Sequence, residues 1–277
     1  MSSSAFEPPA ALILAHPGHE LLLHRFLEQV RPVVFVLTDG SGGDRQDRRA
    51  FSRQVIASAG AEVGAVFGPH SDRTWYSAIL AGDPGPFQKA QRIIADVCAA
   101  RGARLLVADP VELFNPMHDL CAALAAAVAD EVAGGLGERP AVFDYPLDAA
   151  WAGDRNGLEF ALDAPALQRK IAAARSYAPL SAEVNARVGL ASLATERLRR
   201  TDGLELWPER PAQEPFYERF GRRRVSQGAY HDLITYEAHV RPIAVALGAA
   251  RRLEGDPECG RPPSSPPVTS APISEIA

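Results

Sequence analysis

The chain has 277 residues, of which 47% are hydrophobic, and a formal net charge of -5. That is enough apolar material for one sizeable α/β core, and the net negative field excludes bulk electrostatic capture of nucleic acid or anionic membrane. We therefore expect a small-molecule partner, with no nucleic acid and no membrane, and leave assembly into a homo-oligomer open.

Only Lys89 and Lys170 among the 29 basic residues are lysines, so arginine runs such as Arg222-Arg223-Arg224 carry no weight by themselves. Cys98, Cys121 and Cys259 form no CxxC pair, and an odd count argues against a disulfide framework. Together with the absence of a signal-like leader or of a run of about 18 apolar residues, this predicts a cytoplasmic protein. Residues 1–254 are expected to form a single α/β domain, and the Pro/Ser-rich stretch from Gly255 to Ala277 a disordered tail.

The elements alternate in chain order. Ala11–Ala15 reads as a buried first strand, followed by a helix from about Glu20 to Val30 with Leu21, Leu22, Phe26 and Val30 inward. "PVVFVLTDG" is a second strand ending at Asp39-Gly40, with a helix from about Arg48 to Ala59 after it. "AEVGAVFG" is a third strand, "HSDRTWY" a loop, and "PFQKAQRIIADVCAARG" a helix closed by Gly102. "ARLLVADP" is a fourth strand, leading through the irregular "VELFNPMHD" to a helix over Leu120–Val132; "PAVFDYPL" is a fifth. A helix then starts on the N-cap Asp163 with Pro165 in its first turn, and a last helix lies near Tyr236–Leu247. Strands alternating with helices predict a Rossmann-like parallel sheet covered on both faces, with a C-terminal extension folding back on it.

Ligands of open α/β sheets bind outside the carboxyl ends of the strands. His16 and His19 follow the first strand, Asp39 the second, and Asn115 and His118 the fourth. The Pro-Gly corner between His16 and His19 can aim both imidazoles at one point, and a third from His118 would leave an open position on a zinc ion. The plainer reading of such a histidine is a hydrogen-bonded cap.

"LILAHPGHE", "VLTDGSGG", "FNPMHD" and "ALDAPALQRKIAAARSYAPL" resemble the successive blocks of the PIG-L/LmbE-type zinc-dependent N-deacetylases, over roughly Leu12 to Leu180. The resemblance implies a divalent metal, usually zinc, held by His16, His19 and His118, with His19 in place of an Asp ligand. It implies hydrolysis of a C–N amide bond, in an N-acyl amino sugar or a specialised metabolite. Two departures stand out: Gly18 occupies the place of the general base, and Asn115 that of a histidine that serves the oxyanion or the leaving amine. Asn115 can donate to an oxyanion but cannot transfer a proton.

Proton transfer therefore falls to a nearby carboxylate: Asp119, which could equally cap the helix from Leu120, Glu20, assigned mainly to orientation, or Asp39. Asp39, Arg49, Asp72, Arg73 and His239 are the expected substrate-binding residues; Arg49 lies near a substrate-contacting arginine of the family, and His239 shares a helix face with Tyr236. The same metal corner would also serve a different metal-assisted biosynthetic reaction, or a non-catalytic ligand-binding domain.

Overall fold

The computed structural model describes residues 9–42, 46–146, 157–180, 191–201 and 211–248. Five parallel strands carry the sheet: β1 (Ala10–Leu14), β2 (Val33–Thr38), β3 (Glu62–His70), β4 (Leu105–Ala108) and β5 (Ala141–Asp144). Two further strands, β6 (Leu158–Ala161) and β7 (Thr195–Arg200), were not expected and extend it antiparallel, in the order β3-β2-β1-β4-β5-β7-β6. Alternation explains why the central strands need cover on both sides. Ala11 and Ile13 enter one core while Ala10, Leu12 and Leu14 enter the other, and Val33 and Phe35 divide from Val34 and Val36 in the same way.

One face is covered by α1 (His24–Val30), α2 (Arg49–Ser58) and α6 (Ala164–Ser176). The other carries α3 (Asp72–Leu80), α4 (Gly85–Ala100) and α5 (Pro116–Leu136). The C-terminal extension, α7 (Phe216–Ser226), a π-helical turn over Tyr236–Val240 and α8 (Arg241–Ala246), packs Tyr217, Tyr236 and Ile243 into this second core. Asp163 caps α6 as expected, accepting from the Ala166 N–H at 2.8 Å.

Three local expectations need correction. The first helix opens as a 3-10 turn over His19–Leu23, which shifts the helical phase, so Leu21, Leu23, Phe26 and Leu27 are buried while Leu22 and Val30 are only half-buried. "HSDRTWY" is not a loop: Ser71 caps α3 by accepting from the Thr74 N–H. And α5 begins at Pro116 rather than Leu120, because Asn115 is its cap and proline is well placed in a first turn. The expected tail from Gly255 lies outside the described residues. Among the described residues no helix is long and apolar enough to cross a membrane.

Sheet order positions the site. From β1 the chain winds outward to β2 and β3, then returns to place β4 on the other flank of β1. Connections leaving β1 and β4 thus diverge at their carboxyl ends, the crevice in which such sheets take ligands.

Candidate metal centre

The corner after β1 depends on Gly18, whose φ of 109° lies in the region that glycine enters without a Cβ penalty. A Cβ there would stand 2.4 Å from Leu180 Cδ1, so any side chain at this position would meet Leu180. The Gly18 N–H donates to Glu20 Oε2 at 2.8 Å, tying the turn to the buried Glu20 carboxylate. The turn brings the His16 and His19 ring centres to 5.5 Å. His118 arrives from the first turn of α5, 5.2 Å from His16 and 4.8 Å from His19.

Each imidazole has a carboxylate at Nδ1. Asp72 Oδ1 lies 3.0 Å from His16, Asp109 Oδ1 2.9 Å from His19 and Glu112 Oε1 2.7 Å from His118; Thr38 Oγ1 shares the His16 nitrogen at 3.0 Å. A carboxylate accepting from Nδ1–H fixes the tautomer and leaves Nε2 with its lone pair. His16 Nε2 is buried and has no hydrogen-bond partner.

A divalent ion fits this donor set. Tetrahedral Zn–N bonds of about 2.0–2.1 Å place neighbouring imidazole centres roughly 5 Å apart, and the three separations fall at 4.8, 5.2 and 5.5 Å. His19, Asp109 and His118 moreover each offer a ligand atom within 4.8 Å of the other two. In that group Asp109, which was not among the residues expected from the sequence, stands where His16 was expected. Asp109 is fully buried and heavily engaged: Oδ2 accepts from the Ala15 N–H at 2.7 Å, and Oδ1 from His19 and the Tyr145 hydroxyl.

The charges set His19 and His118 apart. Burial pushes the Asp109 carboxyl up, but His19 outweighs it and holds the group well below the usual carboxylate range. Burial pulls His19 down, yet Asp109 leaves its pKa raised. For His118, burial and then His19 lower the pKa well below its ordinary value, keeping it neutral as a metal ligand must be. Burial raises Asp72 too, but the hydrogen bond with His16 leaves it lowered.

Other expected site residues are placed as follows. Asn115 Oδ1 accepts from the Met117 N–H at 2.8 Å and from the Tyr76 hydroxyl at 3.1 Å, so its amide NH2 is the remaining donor. Asp119 is not the cap of α5. Its Oδ1 accepts from the N–H groups of Glu112 and Leu113, holding the loop in which Leu113 takes a φ of 57°; burial pushes its pKa up to about 7. Asp39 closes a turn on Ser41, and Arg49 pairs with Asp47 in solvent while reaching the Gly68 carbonyl.

Asp72, expected on a substrate loop, is buried behind His16, while Arg73 beside it is exposed. His239 Nδ1 accepts from the Thr235 N–H at 3.0 Å at the start of the C-terminal turn. Asp109 and Glu112 are the residues that sequence reasoning missed. Asp109 directly follows β4, so the strand-end rule that singled out Asp39 reaches it equally.

No family model matches the chain, and no curated protein matches it. Among solved structures, it is similar to the antimicrobial reagent A40926 pseudoaglycone deacetylase Dbv21, at 14% identity and a TM-score of 0.46, over 70% of this chain and 97% of that one. A conserved protein, TT1542, from Thermus thermophilus gives 17%, 0.49, 74% and 100% respectively. A triple mutant of a deacetylase involved in the teicoplanin biosynthetic pathway gives 13%, 0.47, 70% and 99%. At such identities and scores the activity has to be read from the site itself. The His19/Asp109/His118 group is placed to hold a divalent ion, with Asp109 where the resemblance implies His16.

Proposed function

We propose that the chain is a metal-dependent hydrolase acting on the C–N amide bond of a small N-acylated metabolite, working in the cytoplasm without a nucleic-acid partner. The observation that carries this reading is the set of three imidazoles with carboxylates on every Nδ1 and a buried, unpartnered His16 Nε2. His16, His19 and His118 are the ligands in this reading, and Asp72, Asp109 and Glu112 orient them. Asp109 is assigned to orientation because both its oxygens already accept hydrogen bonds.

A divalent ion such as zinc supplies Lewis acidity and lowers the pKa of water. Asn115 contributes its amide NH2 as a donor to the developing oxyanion. Of the three carboxylates expected to move protons, Asp119 is engaged in holding the Glu112–Leu113 loop and Asp39 in its turn with Ser41. Glu20 Oε1, like Asp119 Oδ2, accepts no hydrogen bond, but it is Glu20 whose charge reaches His19. Burial raises its pKa, which suits a proton acceptor, so Glu20 Oε1 takes that role.

The test is metal analysis of protein purified without chelator, followed by acetate release from a panel of N-acetyl compounds. About one equivalent of metal, with metal and turnover both lost in His118→Ala, is the expected result. Metal-free protein, or turnover indifferent to chelation, overturns the proposal. Gly18, which has no side chain to take a proton, favours a second reading, a different metal-assisted reaction at the same corner. Fully metallated protein inert toward the whole panel selects that one.

A further inference from the structure

Aromatic rings form a ladder along α7 that amide hydrolysis at the metal corner leaves unused. Phe216 and Phe220, four residues apart, stack with ring centres at 5.9 Å and planes at 19°. Phe114 stacks on Phe216 at 4.3 Å and 12°, and Tyr230 meets Phe220 nearly edge-on at 6.4 Å. Guanidinium groups lie over three of these rings: Arg219 over Phe216 at 5.5 Å, Arg223 over Phe220 at 5.4 Å and Arg224 over Tyr230 at 5.3 Å.

Stacking on a helix can serve the helix alone, but that does not explain the exposure. Phe114 and Tyr230, 40% and 44% exposed, are two of the four exposed large hydrophobics among the described residues, and Val225 on α7 is a third. The ladder also begins at the metal corner. Phe114 lies between Glu112, which holds His118, and Asn115, which caps the helix bearing it; the Phe216 N–H donates to the Leu113 carbonyl at 2.7 Å. At the other end Tyr230 lies close enough to interact electrostatically with Tyr76, whose hydroxyl donates to Asn115.

Charge settles what such a surface would take. The chain is net negative, yet α7 carries four arginines, of which Arg222 pairs with Glu214 just before the helix, against the single acid Glu218, which accepts from the Tyr236 N–H. Guanidinium groups over ring faces are weakly hydrated and present a planar fork to carboxylates. Free ring edges offer area to a flat apolar group.

We propose that this ladder is the subsite for the amine side of the substrate, and that it takes an aromatic group carrying a carboxylate. The inference rests on the amide-hydrolase reading for where the scissile bond lies, but not for the binding itself. Titration of the metal-loaded full chain with N-acetylphenylalanine, its uncharged carboxamide and N-acetylglucosamine, read by calorimetry, separates the two.

The expected result is that N-acetylphenylalanine binds at least tenfold tighter than either comparison. Phe220→Ala and Arg223→Ala should each remove most of that difference, with metal content and melting temperature unchanged. Arg219→Ala is the exposed alternative if Phe220→Ala fails to fold. Selective binding lost in these variants, with no acetate released from any compound of the panel, upholds the subsite and defeats the hydrolase reading. Acetate release with the same kcat/KM in the variants upholds the hydrolase and overturns the subsite. Equal binding of the three compounds overturns it too, as does self-association lost in the variants while ligand binding stays unchanged, which makes the ladder an interface between copies.

Discussion

Two buried charge clusters sit in this fold and are built on opposite terms. In the first, Lys170 on α6 donates to Glu196 Oε1 and to the Leu22 carbonyl, each at 2.8 Å. Glu196 on β7 also accepts from the N–H groups of Arg25 and Phe26 at the start of α1, so both its oxygens are engaged. In the second, the histidine corner, His16 Nε2, Glu20 Oε1 and Asp72 Oδ2 are buried without partners. An orphaned buried polar atom costs about 1–3 kcal/mol, and native folds keep few of them. The Lys170–Glu196 cluster is complete as it stands and clamps the antiparallel edge to α1. The histidine corner is complete only when something else fills it.

That contrast is broken most easily by removing Lys170. Lys170→Met leaves Glu196 buried and unpaired, and we expect a loss of about 3–5 kcal/mol in chemical denaturation. Lys170→Met combined with Glu196→Leu should recover much of it. His16→Ala in chelated protein loses the Nδ1 bonds to Asp72 and Thr38 but none at Nε2, so we expect a smaller cost, about 1–3 kcal/mol. Equal losses in the two single variants would erase the distinction.

Asp119 tests the same idea through pH. Its folded pKa, about 7, lies above its ordinary value of 3.8. The stabilising contribution of the protonated acid is therefore complete below about pH 4 and is lost as pH rises through 7. Asp119→Asn keeps an acceptor for the Glu112 and Leu113 N–H groups but cannot ionise. Measured with chelator present, the variant should gain on the wild type between pH 4 and 8 by up to ~4 kcal/mol. A pH-independent difference would mean that Asp119 is not protonated in the fold.

Next in size is Gly18→Asp, which puts a carboxylate into the corner between His16 and His19. The left-handed φ and the overlap with Leu180 should together cost about 2–3 kcal/mol. Adding Leu180→Ala should return part of it, a coupling that a double-mutant cycle detects. Strictly additive effects would show that Leu180 does not block that position.

Much of this was legible in the sequence. All five parallel strands were, because runs of strand length stand out between helical patterns and turn residues even where, as in β3, much of the strand is exposed, and so was the histidine corner, because His16 and His19 share one turn. The antiparallel pair was missed: "TERLRR" on β7 alternates polar and apolar residues too weakly to announce a strand at the edge of a sheet. The start of α5 was missed because "VELFNPMHD" read as irregular, although Asn115 caps the helix and Pro116 sits in its first turn. Carboxylates behind the histidines carry no spacing signature. Ninety residues separate His19 from Asp109, and only the return of β4 beside β1 makes them neighbours.

The smallest expected effect discriminates best among the three backing carboxylates. Asp109 also holds the Ala15 N–H and the Tyr145 hydroxyl, and Asp72 is buried in the first turn of α3, so substituting either disturbs the fold as well as the histidine. Glu112 is the most exposed of the three, with 24% of its side chain accessible, and it reaches His118 at the shortest distance. Glu112→Gln can still accept from Nδ1–H, but it no longer lends negative charge to the imidazole. Metal affinity should fall by about 10–100-fold, read by competition with a chromogenic chelator, while denaturation in excess chelator stays within about 0.5 kcal/mol of the wild type. If affinity holds and stability drops instead, Glu112 belongs with Glu196 among the structural charges, and His118 loses its claim as a ligand tuned from behind.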